Sequence, residues 1–149
     1  VLNVGIETSG SKISGFAIDD VDIQNTDGHG VRLHSYVTDY SINNVTISNV
    51  THGNGLDIES RNTGFSITNS TFSDITGQNN DAVLLARGNE GVLSNNTFGQ
   101  NIADAAVRVT SDNTLSGTGN NYQTGQRLCE QFEGGNIIDV IFNGITGCD

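Results

Sequence analysis

One four-residue pattern recurs four times: Gly30-Val31-Arg32-Leu33, Gly55-Leu56-Asp57-Ile58, Ala82-Val83-Leu84-Leu85 and Ala106-Val107-Arg108-Val109. The copies lie 25, 27 and 24 residues apart. In each, two apolar residues flank one variable residue, the period-two signature of a strand with one face buried. A second motif runs between them. It reads Ile13-Ser-Gly-Phe16-Ala-Ile18, Ile42-Asn-Asn-Val45-Thr-Ile47, Ile67-Thr-Asn-Ser70-Thr-Phe72 and Leu93-Ser-Asn-Asn96-Thr-Phe98, with a fainter copy at Leu115-Ser-Gly-Thr118-Gly-Asn120. Val4-Gly-Ile6 reads as the first-motif strand of a preceding unit. No segment carries a helical apolar period. A unit of this length built only from short strands cannot bury its apolar face alone, but stacked copies share one core. The expected fold is therefore all-β: a right-handed parallel β-helix of about five to six coils, the hand following the rule for parallel crossovers. A β-sandwich is the rival, but it needs tight hairpin turns that the spacing does not supply.

The rest of the composition fits this reading. The chain of 149 residues has no proline, methionine or tryptophan. Proline removes a backbone donor, so its absence suits a chain laddered along most of its length. Asn residues ahead of Thr fall at similar turn positions, where stacked amides can hydrogen-bond up the column. Asn136–Asn143, the most apolar stretch, reads as a final coil and cap. One domain is expected over 1–149, with coils over 1–128 and the final coil and disulfide-closed cap over 129–149. Position 1 is Val rather than Met, which marks a processed chain or part of a larger protein. The first coil lacks a cap of its own, so an upstream domain or end-to-end self-association is expected to cover its strand edges.

Charge narrows the partners. Six basic against seventeen acidic residues give a net charge of −11, which excludes a nucleic-acid footprint and an anionic membrane surface. No apolar run approaches the ~20 residues that membrane insertion by a helix requires. Cys129 and Cys148 both fall in the last 21 residues and fit a disulfide formed in an oxidising compartment, hence a secreted protein. Two unrelated buried thiols are the alternative. Asn-x-Ser/Thr glycosylation sequons start at Asn44, Asn49, Asn69 and Asn95. A chain rich in Asn and Thr makes several of these by chance.

Aligning the four strands places Arg32, Asp57, Leu84 and Arg108 in one outward column and His34, Glu59, Ala86 and Thr110 in the next. Coils stack about 4.8 Å apart. Arg32, His34, Asp57 and Glu59 then form a patch two coils high, with His29 just before its strand and Arg61 and Arg87 just after theirs. Arginine neutralises carboxylates and histidine moves protons near neutral pH, which suits work on an acidic sugar chain. The catalytic candidates are His34, Asp57, His29 and Arg32; the substrate-binding candidates are Glu59, Arg61, Arg87 and Arg108. The bland alternative is a set of cross-strand ion pairs on a wet face. No Cys/His spacing matches zinc, and no cofactor is expected. Asp19, Asp20 and Asp22 match a Ca²⁺ site in charge only, without an EF-hand loop or a calcium nonapeptide repeat.

Gly28-His29-Gly30-Val31-Arg32-Leu33-His34, followed one coil later by Asn54-Gly55-Leu56-Asp57, resembles the catalytic coils of mannuronan C-5-epimerases, which belong with the pectate-lyase-like right-handed β-helices. That family has Gly-Tyr-Gly-Phe-Asp-Pro-His and then Asn-Gly-Leu-Asp. The resemblance puts His34 on the catalytic histidine and Asp57 on the second aspartate. His29 stands at the tyrosine position and Arg32 at the first aspartate. It implies that an arginine neutralises a uronate carboxylate while His34 or His29 takes the C5 proton. A second group then reprotonates the opposite face (epimerase) or assists departure of the 4-linked sugar (lyase). Asn25-Thr-Asp-Gly28 resembles polygalacturonases, but the next coil carries Gly55-Leu-Asp-Ile58 where they have paired aspartates. Three functions stay open: a polysaccharide lyase or epimerase, a non-catalytic polysaccharide-binding module, and a structural or adhesive extracellular protein that stacks end to end.

Overall fold

Parallel pairing follows the repeat. The computed structural model describes residues 3–8, 12–123, 127–131 and 133–146. Among them are seventeen strands and no helix. In chain order these are β1 (Ile6–Glu7), β2 (Ala17–Asp19), β3 (Asp22–Thr26), β4 (Val31–Leu33), β5 (Ser41–Asn43), β6 (Thr46–Val50), β7 (Leu56–Ile58), β8 (Thr63–Thr68), β9 (Thr71–Ile75), β10 (Val83–Leu85), β11 (Glu90–Ser94), β12 (Thr97–Phe98), β13 (Ala105–Val109), β14 (Thr114–Tyr122), β15 (Arg127–Gln131), β16 (Ile137–Phe142) and β17 (Ile145–Thr146). One sheet runs β1-β4-β7-β10-β13-β15, and a second runs β2-β5-β8-β11-β14-β12-β9-β6-β3. The second sheet is two parallel stacks joined by the long strand β14. Each coil contributes one strand to each stack, giving a parallel β-solenoid of about five turns.

The first-motif register is as the spacing predicts: Val31 pairs with Leu56, Leu56 with Val83, and Val83 with Val107. The second motif differs at both ends. Ile42 pairs with Ile18, and Ile47 with Ile23. The true first copy is thus Ile18-Asp-Asp-Val21-Asp-Ile23, five residues on from the expected one, because Asp20 adopts the turn conformation that Asn44 adopts above it. The faint last copy is two residues out as well. Leu115 stacks on Gly91 rather than on Leu93, and Gly91 pairs in turn with Phe65. A Cβ on Gly91 would meet the Phe65 ring at 2.4 Å, so the large ring and the glycine share one slot.

Two devices close the ends of each strand. At the corner between the stacks, Asp20, Asn44, Asn69, Asn95 and Gly119 succeed one another with φ of +52° to +72°, the left-handed region that Asn, Asp and Gly tolerate best. All four sequon asparagines sit exposed in such turns, so the Asn-x-Thr spacing also serves the coil geometry. Inside, the buried Asn62, Asn89 and Asn113 and the half-buried Asn136 form a ladder. The backbone N–H of each of the first three donates to the side-chain oxygen of the next, at 2.9–3.0 Å. Buried backbone donors at the corners are thereby satisfied. Between the sheets lies one core, with stacked rings at Phe16–Tyr40–Phe65 and at Phe72–Phe98.

At the C-terminal end β16 continues the stack in parallel on β14, and β17 folds back on it antiparallel. Cys129 is buried on β15; its expected partner Cys148 lies outside the described residues. At the other end β1, β2 and β3 each pair on one side among the described residues. No helix is long and apolar enough to cross a membrane.

Candidate functional site

The outer face of the six-stranded sheet carries the charge. Parallel register turns the variable residue of each repeat into a column: Glu7, Arg32, Asp57, Leu84, Arg108, Glu130. The structure therefore brings together Arg32, His34, Asp57, Glu59 and His29, and adds Glu7, which the sequence reading missed. Its signal was present, since Val4-Gly-Ile6 already matched a preceding strand. Arg32 sits among three carboxylates: Nη2 bonds Glu59 Oε1 at 2.9 Å, Nη1 lies 3.7 Å from Glu7 and Nε 3.8 Å from Asp57. His34 points Nε2 at Glu7 (3.1 Å) and Nδ1 at Glu59 (3.3 Å).

His29 is held differently. The Asn54 N–H donates to its Nδ1 at 3.1 Å. A backbone amide can only donate, so in the neutral ring the hydrogen is on Nε2, which faces Asp57 Oδ2 at 3.3 Å. In that tautomer His29 donates to Asp57. The carboxyls of Asp57 on β7 and of Glu59 just past its end are pushed in opposite directions. Burial raises Asp57 above the usual carboxylate range, against the pull of His29 and Arg32. Burial also acts on Glu59, but the Arg32 hydrogen bond and the neighbouring His34 outweigh it and hold Glu59 low.

The remaining candidates lie elsewhere. Arg108 belongs to a second cluster two coils on, across Leu84 and Ala86. Its Nε meets Asp81 at 2.9 Å and its Nη2 meets Glu130 at 2.8 Å and also Asp104, which Arg127 joins at 3.1 Å. Asp81 is 1% exposed; burial pushes it up to about 7, although the Ala105 N–H and Arg108 pull it down. Arg87 pairs with Asp112 at 2.9 Å in the turn after its strand. Arg61 lies over the ring of Tyr36 and donates to its hydroxyl. The third imidazole, His52, pairs with exposed Asp27 off this face.

No group of three or more His, Cys, Asp or Glu among the described residues is placed to hold a metal. Asp19, Asp20 and Asp22 instead accept side-chain hydrogen bonds from Asn43, Asn44 and Gln24, at 2.5–2.6 Å. A depression of about 340 Å³ near Phe65, Gly91 and Val92 lies on the other sheet, away from every predicted site residue. No family model, curated protein or solved structure matches this chain.

Proposed function

We propose that the face formed by β4 and β7 binds a polysaccharide outside the cell and acts on it through an acid–base pair, Asp57 and Glu59. The observation that carries this reading is the pair itself. Two carboxyls two residues apart, Asp57 on β7 and Glu59 just beyond its end, are driven in opposite directions by their surroundings, the pattern that separates a general acid from a general base. Asp57, with Oδ2 engaged by His29, carries its proton on Oδ1 and delivers it to the glycosidic oxygen. Glu59 draws a proton from water attacking the anomeric carbon.

The local charge favours a neutral glycan. Three carboxylates surround the one guanidinium of the patch, and the chain carries −11 overall. A uronate polymer would meet repulsion and an already engaged Arg32. A lyase or epimerase remains the second reading, favoured by His34 with both ring nitrogens among acids at the position of the resembled family's catalytic histidine.

Incubation with a panel of neutral and acidic polysaccharides separates the two. Hydrolysis yields reducing ends without near-ultraviolet absorbance, and Asp57→Asn or Glu59→Gln lowers it by about 10²–10⁴-fold. Unsaturated uronate ends lost in His34→Ala would establish the lyase instead. Binding without any turnover would overturn both catalytic readings.

A further inference from the structure

The turn that follows β4 holds a residue that does not suit it. Four successive turns leave this sheet in register: the N–H of Tyr36, Arg61, Gly88 and Asp112 each donates to a carbonyl of the next coil, at 2.8–3.3 Å. All four residues have positive φ, at +66°, +63°, +71° and +57°. Gly88 and Asp112 are residues that tolerate this conformation; a bulky aromatic there is strained. Tyr36 is nonetheless 43% exposed, the most exposed large aromatic among the described residues. Strain at a site that buries little has no evident folding benefit, whereas the other corner uses Asn44, Asn69 and Asn95 for the same task.

The ring is also held in place. The Arg61 guanidinium lies over it at 5.5 Å from the centroid and donates to its hydroxyl. A ring fixed by a cation on the next coil loses little freedom when a ligand stacks on it. Its place on the chain is two residues beyond His34, and the intervening Ser35 hydroxyl donates to Glu59 at 3.4 Å. We propose that Tyr36 and Arg61 form a sugar-binding subsite at the edge of the acid–base face. Tyr36 stacks on the C–H face of a neutral pyranose ring and Arg61 donates to its hydroxyls. This deepens the polysaccharide reading above and rests on it. An aromatic with an apolar body and a polar tip is the side chain such a ring requires.

Two variants test it. Tyr36→Asn removes the ring and keeps a residue that accepts the turn. Tyr36→Trp supplies the chain's one tryptophan as a reporter. Wild type and both variants are titrated with hydroxyethylcellulose, galactomannan, xylan and polygalacturonate, alongside thermal melts. The subsite predicts that Tyr36→Asn melts like wild type and binds a neutral polymer about tenfold more weakly. It also predicts that the Tyr36→Trp emission shifts to the blue on saturation. Wild-type affinity in Tyr36→Asn, or a tryptophan emission indifferent to bound polymer, overturns the subsite while leaving turnover by Asp57 and Glu59 standing. Binding that depends on Tyr36 with no turnover supports the subsite and removes the acid–base reading. A wild type that binds none of the polymers overturns both.

Discussion

The two charged clusters on the six-stranded sheet share a plan and differ in use. Each places an arginine among three carboxylates: Arg32 with Glu7, Asp57 and Glu59 from adjacent coils, and Arg108 with Asp81 and Glu130 from adjacent coils and Asp104 from its own. Around Arg108 a second guanidinium, Arg127, completes the pairing, and the Arg108 side chain is 14% exposed. Around Arg32 the further groups are imidazoles, and its side chain is 36% exposed. Permanent cations that close over acids make a structural ion-pair network. On the proposed reading, groups that exchange protons and stay open to solvent make the place for chemistry. The same column serves both ends because register, not residue type, puts the side chains together.

That contrast breaks most sharply at the arginines. Arg108→Ala leaves the enclosed Asp81 without its guanidinium and is expected to cost about 3–5 kcal/mol. Arg32→Ala, on the open cluster, is expected to cost about 1 kcal/mol or less. Chemical denaturation of the two variants at pH 8 measures both, and equal losses would erase the distinction.

The next effect is a pH dependence that Asp81 brings to the closed cluster. Folding raises Asp81 from 3.8 to about 7, so the folded state holds its proton more tightly than the unfolded state does. The stability this contributes is full below pH 4 and is lost as pH rises through 7. Arg108, Arg127, Asp104 and Glu130 face Asp81's cluster and belong to the same balance. Relative to Asp81→Asn, wild type should lose up to about 4 kcal/mol between pH 4 and pH 8. Parallel stability–pH curves for the two proteins would sink this account.

The smallest effect lies between the clusters. Leu84 pairs with Asp57 on one side and Arg108 on the other. Leu84→Lys sets a cation beside Asp57, a cross-strand pair worth about 0.2–1 kcal/mol. It favours the ionised Asp57, so the alkaline limb of any pH–rate profile should move to lower pH while the acidic limb, set by Glu59, stays. An unmoved alkaline limb would take Asp57 out of the acid's role.

Much of this was legible in the chain. Strand pairs in the first motif, and with them the meeting of Arg32 with Asp57 and His34 with Glu59, follow from copies 25, 27 and 24 residues apart. The second motif was harder to place. Ile13–Ile18 and Ile18–Ile23 both offer two isoleucines five apart, and only the turn at Asp20 chooses between them. Gly91 hid another column, because its slot is filled by the Phe65 ring from the neighbouring coil. Arg108 looked like a continuation of the Arg32 patch until its side-chain partners were seen.

By itself the sequence determined the repeat, the sheet on which the charges lie and the order in which they stack, because a period-two pattern copied at coil length leaves little freedom of register. Only the tertiary structure decided what each charge does there. A backbone N–H on His29 Nδ1, the depth of Asp81 and the guanidinium over Tyr36 are distances between coils. Proton positions, burial and strain depend on such distances, and residue spacing along one chain does not contain them.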